Sequence, residues 1–184
     1  MAKIKGNQVT AGMSGKFADQ IVFKTRKGTR YAVGPPTPKH NRKPTPNQLK
    51  TQQKMKRCNR YAFHAIENIE LKEAYAAVAR GGQTAVNIAF RDAWRSPFVH
   101  DIIATSYKGN TGDIIFIHAS DDFKVQNVLV TIADANGEFI EQGDAVQQGP
   151  IWLYVATTTH THPAKITARA YDLPGNEALK ELAI

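Results

Sequence analysis

The sequence predicts an α+β chain in three parts: a basic N-terminal β-hairpin with an extended proline-rich arm (residues 1–44), a small three-helix unit (45–97) and a C-terminal antiparallel β-sandwich (98–184). Three observations carry this. Apolar residues alternate over residues 21–33 and recur in short β-branched runs after residue 98, as strands require. Between these stretches they follow three- and four-residue steps, the spacing of one helix face. The charge also changes sign along the chain. Residues 1–66 hold 15 Lys/Arg against one acid, Asp19, a net +14, whereas residues 67–184 hold 9 against 15, a net −6.

In order along the chain, residues 1–16 contain Gly6, Gly12 and Gly15 and few large apolar groups, and read as a flexible or partner-ordered arm. Ile21 to Lys24 and Arg30 to Val33 flank the turn Arg26-Lys27-Gly28-Thr29 and read as a hairpin, with Lys24, Arg26, Lys27 and Arg30 gathered at its tip. Two strands alone are marginal in water, so this hairpin needs a surface to pack on. The next segment, GPPTPKHNRKPTP, has five of the nine prolines and no acid. It reads as a semi-rigid spacer, either a linker between domains or an arm carrying the hairpin to a neighbour.

Thr45 begins a helix, with Pro46 at the first helical position and Gln48 completing a capping box. Met55, Cys58, Ala62, Ala65, Ile66 and Ile69 form its apolar stripe; Lys56 and Arg60 lie near the opposite face, with Lys50, Lys54 and Arg57 on the flank. Residues 70–79 make a second helix, with Gly81-Gly82 placed to end it, and Thr84 caps a third before Ser96-Pro97. Tyr61, Phe63, Tyr75, Phe90 and Trp94 sit at helical spacing among aliphatics and are expected in the core rather than on a base-stacking surface.

The runs at 114–117, 128–132, 139–140, 151–155 and 166–171 are strand-like, and Asn136-Gly137 suits a two-residue primed hairpin turn. Short strands separated by turns at this spacing predict a sandwich of immunoglobulin-like type, without the Cys-Trp-Cys pattern of a true immunoglobulin domain.

The excess of +8 and pI near 9.6 point to a polyanionic partner or to the acidic part of a neighbouring subunit. With Cys58 alone, an intrachain disulfide and a cysteine metal cluster are both excluded; on the apolar stripe it reads as a buried, inert thiol. The N-terminus lacks the apolar core of a signal peptide and no run is long enough for a membrane helix, so the expectation is a soluble product made in the cytoplasm, free to leave within a particle.

Two resemblances add to this. The stretch DDFKVQNVLVTIADANGEFIEQGDAV with WLYVAT and ITARAYDLPGN resembles bacterial immunoglobulin-like domains and their closing A-x-D-x-x-GN turn. The opening, GMSGKFADQIVFKTRKGTRYAVGPPTP with KPTPNQLKTQQKMK, resembles small uncharacterised bacterial proteins, some phage-like, that begin with an SGK-hairpin-proline arrangement. Both imply a structural role.

Chemistry-bearing groups are sparse. Asp121-Asp122 is a carboxylate pair, and Asp134 to Glu138 resembles part of a calcium loop, but the full twelve-residue loop is absent and an Asx-stabilised turn explains the same letters. His118, His160 and His162 are three nitrogen donors that nothing in the sequence brings together. No nucleophile elbow, phosphate loop or dinucleotide motif occurs, so neither an enzyme nor a cofactor is expected. The expected function is that of a structural subunit in a virion-like or filamentous assembly, joined to copies of itself by the basic hairpin and arm. The alternative is sequence-independent nucleic-acid binding through Lys24, Arg26, Lys27, Arg30, Lys50, Lys54, Arg57 and Arg60. Adhesion to carbohydrate through the sandwich would rest on fold analogy alone.

Overall fold

The computed structural model describes residues 2–4, 8–36, 43–160 and 164–184. The chain is α+β; its described residues form three helices and three four-stranded antiparallel sheets, and it divides into two compact units, Met1–Thr45 and Pro46–Ile184.

The first unit is one sheet of β1 (Ala2–Ile4), β2 (Gly15–Phe17), β3 (Ile21–Arg26) and β4 (Thr29–Val33), in the order β1-β4-β3-β2. The expected hairpin is β3–β4. Its turn residues Lys27 and Gly28 both have positive φ, 48° and 73°, the conformation that a primed two-residue turn needs. Residues 1–16 do more than form an arm, because β1 pairs with β4 and β2 with β3. Strands of three residues cannot display an alternation, and here the neighbouring strands supply the pairing. The middle of the proline-rich arm, residues 37–42, lies outside the described residues.

Cross-strand partners point to the same side of a sheet. The register therefore puts Phe17 with Ile21, Phe23 with Ala32, and Ile4 with Arg30 on one face. Lys16, Val22 and Val33, Lys24 with Tyr31, and Arg26 with Thr29 occupy the other. The result is one largely apolar face and one basic face, and among the described residues of this unit none is buried.

The second unit opens with α1 (Pro46–Ala65), α2 (Ile69–Val78) and α3 (Ala85–Trp94). Asn68 caps α2 by accepting from Leu71 N (3.1 Å). Thr84 and Asn87 form a reciprocal capping box at α3. Gly81 and Gly82, with φ of 60° and 80°, do not cap α2 as expected: Ala79 is its C-cap, and the glycines form the turn towards α3. The stripe of α1 also differs. Cys58, Ala62 and Ala65 are buried, but Met55 is 52% and Ile69 71% exposed. One turn before Cys58 the stripe continues through Lys54, whose ammonium lies 4.9 Å from the centre of the Trp94 ring. Of the expected core aromatics, Tyr75 is fully buried and Phe63 is exposed.

The remaining strands are β5 (Phe98–Ile103), β6 (Ile114–Ser120), β7 (Val125–Asp134), β8 (Phe139–Asp144), β9 (Val146–Gln148), β10 (Ile151–Val155), β11 (Ala164–Asp172) and β12 (Glu177–Ala183). They form two sheets, β5-β6-β10-β9 and β12-β11-β7-β8. Ile115, Ile117, Trp152 and Tyr154 from one sheet and Val128, Val130, Ile132, Ile166 and Ala168 from the other belong to a single core. Alternate residues of these strands face inward, which is why the apolar runs read as strands.

The β7–β8 connection is not the expected two-residue turn. Gly137 N donates to Asp134 O (3.0 Å) and Asp134 N to Glu138 O (2.8 Å), enclosing Ala135, Asn136 and a left-handed Gly137. The Asp134 carboxylate decides this geometry by accepting from Asn136 N and Glu138 N, and those bonds hold its pKa below the usual carboxylate range.

Candidate functional site

The eight cations expected to meet a polyanion or a neighbour fall into two groups, one in each compact unit. The hairpin four do not share one tip surface. Lys24 and Arg26 project from the basic face, Arg30 from the apolar face, and Lys27 occupies the turn. In this unit Lys16 and Asp19 form the one ion pair among the described residues.

The helix group is more ordered. Residues 50, 53, 54 and 57 fall on one side of a helix, and Lys50, Gln53, Lys54 and Arg57 line an open groove of about 270 Å³. Arg60 and Lys56 are exposed elsewhere on α1, which contains no acid. None of these five cations forms an ion pair among the described residues. Cys58, beneath this surface, donates to Ala93 O at 3.2 Å; burial raises its pKa, against a smaller lowering by Arg57 and Lys54.

The second assembly of charged groups is one that sequence spacing does not announce. Asp92 in α3, Asp121 between β6 and β7, and Asp172 at the end of β11 each bring one carboxylate oxygen within 4.8 Å of the others. Asp92 and Asp172 are each only 1% exposed. Each carboxyl is held by its own support. Tyr75 donates to Asp92 Oδ2 (2.6 Å), and Tyr75 is itself hydrogen-bonded to Tyr61 (2.9 Å). Asp121 Oδ2 accepts from Phe123 N and Lys124 N (3.0 and 3.1 Å). Asp172 accepts from Asn176 N at Oδ1 (2.6 Å) and from Asn176 Nδ2 at Oδ2 (2.7 Å). The same Asn176 amide lies 3.4, 3.3 and 3.2 Å from the carbonyls of Asp92, Ala93 and Arg95, tying the end of α3 to the β11–β12 turn.

Burial, with the neighbouring carboxylates adding to it, pushes Asp92 up to about 7 and raises Asp172; the bonds from Tyr75 and Asn176 oppose this. Burial also drives Tyr75 well above the ordinary tyrosine range.

Among the described residues the histidines form no such group. His118 is exposed on β6, His160 pairs with the Tyr107 hydroxyl at 2.5 Å, and His162 lies outside the described residues. Among the described residues the three aspartates are the one set of metal-ligating side chains within such reach. No helix of the described residues is long and apolar enough to cross a membrane. Compared with protein-family models, curated proteins and solved structures, the chain has no match.

Proposed function

We propose that this protein is a non-enzymatic structural subunit of a self-assembling particle, virion-like or filamentous, and that its N-terminal sheet joins it to a second copy. The observation that supports this is the sheet itself: Phe17, Ile21, Phe23 and Ile4 share a face, yet Phe17 remains 63% exposed and none of the unit's described residues is buried. A sheet of this size gains stability by burying one face, and a neighbouring subunit supplies the missing layer. Charge favours the same contact. The unit carries 10 Lys/Arg against one acid, whereas residues 67–184 carry an excess of acids.

The sandwich is read as immunoglobulin-like. Taken in chain order as A, B, C, C′, D, E, F and G, β5 to β12 give the strand orders ABED and GFCC′. Such a module suits the body of a repeating subunit.

Light scattering of the full-length protein tests the reading. Replacing Phe17, Ile21 and Phe23 together by Ser is expected to reduce a multi-chain mass to that of one chain, at low and high salt alike. An unchanged mass would remove the sheet as the joining element. The acid-free surface of α1 favours a second reading, sequence-independent binding of nucleic acid. It requires that Lys50→Gln, Arg57→Gln and Arg60→Gln together weaken binding to duplex DNA at low salt.

A further inference from the structure

We propose that Asp92, Asp121 and Asp172 form a binding site for a hard divalent cation of calcium size, which clamps α3 to the β6–β7 loop and the β11–β12 turn. The inference stands apart from the assembly reading.

Asp92 lies in the last turn of its helix, where the unpaired carbonyl ends already make the potential negative and a carboxylate is disfavoured. Two more carboxylates converge on it, and the nearby cations do not neutralise them. Arg95 Nη1 and Arg91 Nε both go to Asp122 Oδ2, at 2.8 and 3.4 Å. The decisive atoms are the oxygens left over. Asp92 Oδ1 and Asp121 Oδ1 are buried and, among the described residues, accept from no N–H or hydroxyl donor, although each residue's Oδ2 is firmly held. Two ionised carboxylate oxygens cannot satisfy each other, since neither is then a donor. A cation or a shared proton must lie between them, and the third carboxylate, that of Asp172, favours the cation.

The donor set selects the kind of ion. It is all oxygen, with no His or Cys, which disfavours zinc and copper and suits a hard cation. Calcium–oxygen distances of about 2.3–2.6 Å allow ligand atoms up to roughly 5 Å apart, and the observed spread lies inside that. Magnesium demands a smaller, near-octahedral shell and fits less well. The bonds from Tyr75, Phe123 N, Lys124 N and Asn176 fix the carboxyl orientations, as the outer shell of a metal site does.

Because folding assembles the three ligands, bound cation stabilises the folded chain. Tyr75, bonded directly to Asp92, also places an ultraviolet-absorbing ring beside the site. The test uses full-length protein freed of metal with EDTA, then titrated with TbCl3 and, separately, with CaCl2 or MgCl2. The expected result is tyrosine-sensitised terbium emission that CaCl2 reverses, and a rise in Tm with CaCl2 that exceeds the rise with MgCl2. Asp121→Asn keeps an oxygen to accept from Phe123 N and Lys124 N. It is expected to lower terbium affinity at least tenfold and abolish the calcium-dependent rise, with Tm in EDTA unchanged or higher. Asp134→Asn, in the exposed β7–β8 turn, is expected to change neither. Absence of emission, with equal Tm in CaCl2 and EDTA, would overturn the site. A Tm that instead climbed as pH fell through 7 would show that a shared proton holds the carboxylates together. Emission that survives Asp121→Asn but not Asp134→Asn would place the ion elsewhere and equally overturn it.

Discussion

The N-terminal sheet and the sandwich are built from the same antiparallel ladders, and they differ in what lies against them. In the sandwich, Ile115, Ile117, Val128, Val130, Ile132 and Ile166 lose essentially all contact with solvent. In the N-terminal sheet, Phe17 and Ile21 are exposed and Phe23, Val22, Tyr31 and Val33 are only partly covered. Each fully buried aliphatic contributes about 1.5–3 kcal/mol, so the sandwich has a large reserve that the sheet lacks. The difference shows that strand-forming sequence and a stable layer are separate properties: alternation sets the pairing, but a second layer supplies most of the stability.

The largest expected effect contrasts the two cores directly. Ile117→Ala should destabilise the sandwich by about 2–5 kcal/mol in urea unfolding, because a fully buried side chain leaves a cavity. Phe23→Ala should cost a dilute single chain less than about 1 kcal/mol, as half-exposed positions do. Equal losses at the two positions would mean that the sheet carries a core of its own.

A smaller effect separates the regions by pH. Burial, reinforced by Glu141 and Asp113, pushes Tyr107 up to about 12. The folded state therefore keeps this proton after the unfolded chain, near its ordinary value of about 10, has lost it. This contribution is intact below about pH 10 and disappears as pH rises towards 12. Tm measured between pH 9 and 12 should fall over that window, and Tyr107→Phe should flatten the fall. The smallest effect is in the sheet. Lys27 holds φ at 48°, a conformation that costs most side chains about 1 kcal/mol and costs Asn less. Lys27→Asn should slow amide exchange across β3 and β4 without changing exchange in the sandwich.

Those residues also show what could be read from the chain beforehand. Thr84 as a helix cap, the strands β6, β7, β8, β10 and β11 of the sandwich and the β3–β4 turn are readable because capping, alternation and positive-φ chemistry act over a few residues. The short strands β1 and β2 are not, since their partners determine them. Met55 was misplaced because a long cation, Lys54, can cover an aromatic ring as an apolar residue does. The Asn136-Gly137 pair gave a turn of the wrong length because the Asp134 carboxylate outweighed the dipeptide preference. The aspartate cluster joins three distant parts of the sequence; Asp121 stands out beside Asp122 and Asp172 within the A-x-D-x-x-GN turn, and nothing in the sequence links them. Asp92 carries no local sign of its role. Asp172 carried one in its DLPGN turn, which reads as a hairpin and serves also to hold the end of α3.

The most direct measurement is hydrogen exchange of the N-terminal sheet in full-length protein, at concentrations below and above the onset of any increase in scattering mass. If the sheet completes its second layer on a neighbouring copy, amides of residues 15–33 should become at least tenfold more protected as mass increases, while those of β7 and β11 stay constant. Sheet amides that exchange at the same rate in single chains and in large particles would contradict it.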